Sequence, residues 1–326
     1  MKYDFVAIGD VTTDCFIKLK EAEELTNHGV LELCMPFGTK LPFESATEVV
    51  AVGNAANAAV GVARVGLKSA LVAHVGGDQN GKNCLAALTE RGVSTEYVAI
   101  HNEMRTNYHY VLQHGAERTI LIKHEAYPYA LPAFSEPPLW LYVTSLPEGT
   151  LEYQKAIAKY AKDNNVKLAF QPGTYQLEMT DELKDMYAVS EIFFCNKEEA
   201  QGILKTEEGD IKKLMEGIKT MGPKIVVVTD GRNGSNILES DGSAWHLPMY
   251  PDPAPPVSRT GAGDATACTT VAYLIKGLAP RDALARGLIN SAAGVQAIHV
   301  QLGTLTDADV EDWYAKRPVD FIATQL

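Results

Sequence analysis

Arg259-Thr260-Gly261-Ala262-Gly263-Asp264-Ala265-Thr266, residues 259–266, runs directly into a segment whose apolar positions Ala267, Val271, Leu274, Ile275 and Leu278 fall at helical spacing. Two glycines therefore stand at a helix N-terminus, where free backbone N–H groups and the positive end of the dipole favour an anion. An ordinary Gly-rich helix start accounts for the octapeptide equally well. Dinucleotide binding through G-x-G-x-x-G fails, because Thr266 takes the last position and prolines stand upstream where a strand belongs. A P-loop is excluded, since GxxxxGK[ST] occurs nowhere in the chain.

Outward from this segment, short apolar stretches alternate with helical patterns. Tyr3–Gly9, Ala70–Val75, Leu139–Thr144, Val166–Phe170, Glu191–Cys195 and Lys224–Thr229 read as strands covered on both faces. Between them, 54–65, 80–91, 150–163, 181–189, 210–221, 262–276 and 281–300 read as helices, several closed by glycine (Gly66, Gly92, Gly222, Gly277). This alternation implies right-handed βαβ units and a three-layer α/β/α, doubly wound, mainly parallel sheet, with ligands beyond the carboxyl ends of its strands. Residues 107–113 and 118–123 instead alternate apolar with polar and flank His114-Gly115-Ala116-Glu117, the pattern of a hairpin open to solvent on one face. With residues 15–50, which fit neither element cleanly, they suggest a small β lid. The expected division is a core of residues 1–13, 51–98 and 126–326 and a lid of residues 14–50 and 99–125. The Pro-rich run 247–257 reads as a rigid connector.

The 326 residues are 46% hydrophobic and 21% charged, enough apolar material for a large core. A net charge of −12 repels phosphate backbones and anionic lipid, so neither nucleic acid nor membrane is an expected partner. The N-terminal MKYDFVAIGD reads as a first strand and not a signal peptide, and no apolar run reaches the roughly 18 residues of a membrane span. Five scattered cysteines without a CxxC pair suit a reducing cytosol, and a cytoplasmic location is expected.

Asp264 lies in the first turn of the helix that the glycines open. A partner for the dipole is the ordinary reading, and the dipole should keep the carboxylate ionised, as a weak base. Beside a bound polyphosphate, however, an acid is repelled, and accepting the proton of an attacking hydroxyl would give it a purpose. Asn196-Lys197-Glu198-Glu199 follows a strand and starts a helix, a capping arrangement in which Glu199 could alternatively hold water around magnesium. Thr229-Asp230-Gly231-Arg232-Asn233-Gly234 permits close approach to a nucleotide, although a plain turn needs the same residues. Gly53-Asn54-Ala55-Ala56-Asn57 opens a helix of small residues whose asparagines need partners when buried, and substrate hydroxyls would suit. Asp14, with Asp10 and Thr12 nearby, lies just past the first strand where a polyol could bind. The eight histidines, His109 and His114 included, show no metal-ligand spacing and are expected on the hairpin surface. No GxSxG elbow is present.

Taken together, VGNAANAAVGVARVG (52–66), HVGGDQNGKNCLAALTERGV (74–93), NKEEA (196–200) and RTGAGDATA (259–267) resemble the ribokinase, or phosphofructokinase-B, family of carbohydrate kinases. The resemblance implies a three-layer α/β core with a β lid and ATP-dependent phosphorylation of an alcohol with magnesium. It implies Asp264 as catalytic base, Gly261, Ala262 and Gly263 as an anion hole, and Asn196 and Glu199 as organisers of magnesium and phosphate. Thr229, Gly231 and Gly234 fall on the nucleotide turn, and Thr12, Asp14, Gly53, Asn54 and Asn57 on the acceptor side. Ser258-Arg259 replace the family's usual Asp-Thr, which argues against the usual monovalent-cation site; Val52 replaces a glycine and Thr266 a phenylalanine.

A neutral sugar is the expected acceptor. Arg105, Lys40 and Lys123 are the lid cations that would compensate an anionic one. A nucleoside kinase is the alternative, with Phe16, Phe37, Phe43 or Tyr108 as an aromatic wall for the base. A non-catalytic sugar or nucleotide sensor is a second alternative, and the exposed lid sheet leaves room for a homodimer.

Overall fold

A computed structural model describes residues 2–114 and 117–326. An eleven-stranded sheet forms the core. Its parallel part runs, in spatial order, Ile225–Thr229, Ser190–Asn196, Lys167–Phe170, Trp140–Val143, Phe5–Ile8 and Ser69–Gly76. Ser235–Leu238, Ala244–Leu247 and Thr324–Gln325 extend one edge antiparallel; Val93–Ser94 and Val98–His101 pair in parallel with Ser69–Gly76 at the other.

Alternate residues of the same strands enter two separate cores. Phe5, Ala7, Leu71, Tyr142 and Val227 pack under the helices Asn54–Arg64, Ala262–Ile275 and Pro280–Gly294. Val6, Ile8, Val72, Leu141 and Val228 pack under Leu151–Asp163, Lys184–Val189 and Ile211–Lys219. Burial on both faces explains why these strands are apolar throughout, and it gives the three layers expected from the alternation.

The chain leaves Phe5–Ile8 to build one side of the sheet and later returns to build the other. That first strand is thus the switch point, where a crevice opens beyond the strand ends. A separate small sheet has the order Glu117–Leu121, Tyr108–His114, Thr12–Leu19, Phe43–Val52, and Glu23–Asn27 pairs with Val30–Cys34 beside it. The hairpin residues Gly115 and Ala116 lie outside the described residues.

Two helices differ from expectation. The stretch 181–189 is helical only over Lys184–Val189, after a short helix Thr174–Glu178. The stretch 281–300 is not one helix: Pro280–Gly294 ends, and a second turn runs Val300–Gly303. Here the Val295 carbonyl accepts from the amides of Val257, the last residue of the Pro-rich connector, and of Ser258 after it, so it is lost to the helix. A side chain at Gly294 would meet Val300 Cγ2 at 2.7 Å, so the second turn folds back closely onto the first helix.

Candidate active site

Asn54–Arg64 is almost wholly buried, and its small residues bring it against the helix Ala262–Ile275, where Gly61 faces Cys268. The N-termini of the two helices therefore meet. Gly53, at φ 104°, turns the chain into the first of them with Asp10's carbonyl too close for any Cβ (2.9 Å). Across this junction Asn54 Nδ2 donates to Asp264 Oδ1 at 3.0 Å and Asn57 Nδ2 donates to Oδ2 at 2.9 Å. Gln171 Nε2, beyond the strand Lys167–Phe170, donates to Oδ1 at 3.3 Å, and the Tyr142 hydroxyl donates to Gln171 Oε1, orienting that amide. The asparagines thus have a protein partner where substrate hydroxyls alone had been expected.

Asp264 is 4% exposed, and burial pushes its carboxyl up to about 6 even though the three amides pull the other way. The expectation of a weak base is therefore corrected: desolvation is the largest influence on the group. At neutral pH the group is still mainly ionised, and it is a stronger base than an ordinary aspartate.

Behind the carboxylate runs a second line of contacts. Gln301 Nε2 donates to Asn57 Oδ1 at 2.9 Å and to the Ala51 carbonyl at 2.8 Å, while Arg91 Nη1 donates to Gln301 Oε1 at 2.5 Å. His299 Nδ1 accepts from the Gln301 amide at 3.4 Å, and burial holds that imidazole down at about 4, so it stays neutral. His299 lies in the segment 281–300 that sequence periodicity assigned to a continuous helix and Gln301 directly follows it, which is why neither was singled out.

At the helix start, Gly261 adopts φ 82°. The Ala262 N–H points to the Arg259 carbonyl at 3.3 Å, whereas those of Gly261, Gly263 and Asp264 make no hydrogen bond among the described residues. Gly261, Gly263 and Asp264 line a cleft of about 470 Å³ that also collects Thr12, Asp14, Gly53, Asn54, Asn57, Asn196, Glu199 and Thr229. A smaller adjoining hollow of about 150 Å³ shares Thr229 and Gly263 with it and gathers Gly231, Gly234 and Ala262, with Met249, Leu288 and Val295 as apolar wall. The residues singled out in the sequence thus divide between two connected compartments, with Gly263 between them.

Asn196 caps its helix: Oδ1 accepts the Glu199 amide at 2.8 Å, and Glu199 Oε2 accepts the Asn196 amide at 2.8 Å. Burial raises the Glu199 carboxyl, which the Asn196 amide opposes. The cap thus forms at a place where both residues also line the cleft. Among the described residues no group of three or more His, Cys, Asp or Glu side chains forms a metal cage. One carboxylate in a cleft that is also lined by the glycines of a helix start nevertheless fits magnesium, which keeps several waters and takes few protein oxygens.

The small sheet supplies residues that motif reading placed elsewhere. His109, expected on the hairpin surface, lines the cleft with Arg118, Ile120, Ile122 and His124. Arg105, Lys40 and Lys123 do not line it, and Lys123 pairs with Glu125; among the described residues Arg118 is the Lys or Arg that does. None of the four proposed aromatic-wall residues lines it either. Phe16 is buried with Val49, Val52 and Val111, Phe37 and Phe43 are exposed, and the Tyr108 hydroxyl donates to Glu48.

Residues 34–307 match the sequence profile of the pfkB family carbohydrate kinases. A ribokinase from Mus musculus is 26% identical over 265 residues, which cover 76% of this chain and 79% of that protein. In fold, the chain resembles the nucleoside kinase of Methanocaldococcus jannaschii, with a TM-score of 0.81 at 20% identity over 97% of this chain and 99% of that one. It resembles the Arabidopsis thaliana ribokinase complexed with ribose and ATP at 0.79 and 19%, over 96% and 98% of the two chains. With a profile match over most of its length and the ribokinase fold throughout, the chain belongs to the pfkB family of carbohydrate kinases.

Proposed function

We propose that the protein transfers the γ-phosphoryl group of ATP to a hydroxyl of a small, neutral sugar or polyol. One observation carries this reading: the buried Asp264 carboxylate, held by three amides, sits at the head of a helix with free N–H groups and lines the cleft, which shares Thr229 and Gly263 with the smaller hollow.

In this reading Asp264 takes the proton of the attacking hydroxyl. The amides of Gly261 and Gly263, with Ala262 closing the turn, receive the negative charge of the transferring group. Each well-aimed donor is worth roughly 2.7–4 kcal/mol in the transition state, by analogy with oxyanion holes. Thr229, Gly231 and Gly234 hold the nucleotide, with Met249, Leu288 and Val295 against its base. Glu199, positioned by Asn196, holds magnesium through water; the ion, when bound, neutralises charge between the phosphates. Thr12, Asp14, Gly53, Asn54 and Asn57 line the acceptor side, and residues 14–50 and 99–125 cover it as a lid on the core of 1–13, 51–98 and 126–326. Positioning and charge neutralisation supply most of the rate in such a loose transfer.

On the acceptor side Asp10 and Asp14 outnumber Arg118, which favours a neutral acceptor over an anionic one, and none of Phe16, Phe37, Phe43 and Tyr108 lines the cleft to flank a base, which favours a sugar over a nucleoside. The test is ADP release from MgATP with a panel of sugars, polyols, nucleosides and sugar phosphates. Acceptor-dependent ADP with an equal amount of phosphorylated neutral alcohol is expected. Binding without turnover would point to the sensor, and turnover of sugar phosphates alone would refute the neutral acceptor.

A further inference from the structure

Asp14 and His109 stand opposite one another on the parallel strands Thr12–Leu19 and Tyr108–His114, with His109 Nδ1 3.3 Å from Asp14 Oδ1. A second pair lies beside it, His124 Nδ1 at 3.0 Å from Asp10 Oδ2, and the two imidazoles meet edge to face with centroids 5.5 Å apart. Both pairs line the cleft that contains Asp264. Asp10 is fixed from behind by the Tyr129 hydroxyl, which donates to Oδ1 at 3.2 Å.

The contacts are close, yet they do not satisfy the groups. Asp10 Oδ2, Asp14 Oδ1, His109 Nε2 and His124 Nδ1 are buried and lack a hydrogen bond of good geometry, four of the nine such side-chain atoms among the described residues. Buried polar atoms are ordinarily paired, and a concentration of exceptions in one cleft points to a ligand that completes them. The ligand must donate to carboxylates and both donate to and accept from imidazoles over a short span. Neighbouring hydroxyls do this, whereas a carboxylate or phosphate there would be repelled by Asp10 and Asp14.

We propose that His109 and His124 are specificity-determining residues that bind hydroxyls of the acceptor other than the one phosphorylated, each acting with its paired carboxylate. The proposal deepens the kinase reading and rests on it. The acceptor class it names is a polyhydroxylated compound with adjacent hydroxyls remote from the reacting one.

The experiment compares the wild type with His109→Leu, His124→Leu, His109→Gln and His124→Gln at saturating MgATP. The acceptors are D-ribose, D-fructose, myo-inositol and adenosine, followed by the monodeoxy analogues of the best of them. Each leucine variant is expected to raise the acceptor KM about tenfold, the loss of one hydrogen bond, while the KM for ATP is unchanged. Each glutamine variant should recover part of that loss. For each histidine one deoxy analogue should be used equally well by wild type and leucine variant, because the contact is already missing. An unchanged acceptor KM, or an equal loss on every deoxy analogue, overturns the assignment and leaves the kinase reading intact. A wild type that phosphorylates no alcohol in the panel overturns the kinase reading, and this inference with it.

Discussion

Asn57 Nδ2 donates to Asp264 Oδ2 at 2.9 Å across 207 residues of sequence, joining the N-termini of two helices through their side chains. The contact holds a carboxylate that burial alone would neutralise further, since desolvation is the largest influence on it and the Asn57 bond the first that opposes it. The rate should therefore rise with pH along a limb centred near 6 and level off above it. Asp264→Asn should remove that limb and lower kcat by about 10²–10⁴-fold with ATP binding retained; unchanged turnover would exclude Asp264 as the base. Stability moves the opposite way. The folded chain keeps this proton up to about pH 6, against 3.8 for the ordinary group, so the contribution to folding is full below about 4 and is lost as pH rises through 6. Denaturant melts of wild type and variant should converge below pH 4 and diverge above 6, the wild type being the less stable.

The glycines at the helix start separate folding from transfer. Gly261 has φ 82°, and a Cβ there would lie 2.5 Å from Val300 Cγ1. Gly261→Ala should lower stability by about 1–3 kcal/mol, read as a fall in melting temperature. Gly263 is already helical, and its Cβ would meet only Gln171 Nε2, at 3.7 Å. Gly263→Ala should fold as well as the wild type or gain about 0.5–1 kcal/mol from helix propensity. Its methyl nevertheless enters the space between the two compartments, and kcat should fall about 100-fold through displacement of the reacting groups. A stable and fully active Gly263→Ala enzyme would remove this glycine from the phosphoryl site.

The sheet, its helices and the meeting of Asp264 with the glycines are legible in the sequence because each rests on a local signal: strands buried on both faces, glycine stops, and a helix start that keeps its amides free. The rest depends on contacts that no local pattern carries. The break after Gly294 comes with the Val257 and Ser258 amides taking the Val295 carbonyl, and beyond it His299 lines the cleft and Gln301 reaches Asn57. His109 reads as hairpin surface because alternation marks one face as polar, and only the packing of the small sheet over the strand ends turns that face inward. Gln171, directly after a buried strand's last apolar position, did have a signal: polar residues just beyond the carboxyl ends of such strands face the crevice.

Gln301 tests whether the second line of contacts matters for transfer. Gln301→Leu leaves Asn57 Oδ1 without its donor and Arg91 with the Val50 carbonyl at 2.9 Å. With Asn57 free to turn, Asp264 loses part of the support that lowers its pKa, so the acid limb of the rate profile should move above 6. The plateau kcat should fall about tenfold, the equivalent of one hydrogen bond, with the KM for ATP unchanged. A drop in melting temperature without movement of the limb would assign Gln301 to folding alone.

Glu199 carries two roles that one substitution separates. Its Oε2 accepts the Asn196 amide, and a glutamine oxygen can do the same, so Glu199→Gln should keep the cap and melt within about 1 kcal/mol of the wild type. The charge is lost, and the magnesium concentration for half-maximal rate should rise about 10–100-fold, as when a metal's outer partners are removed. Glu199→Ala should show the same magnesium defect together with the loss of the cap. If Glu199→Gln needs no more magnesium than the wild type while Glu199→Ala melts early, the carboxylate serves the helix and the ion is held by phosphate and water without it.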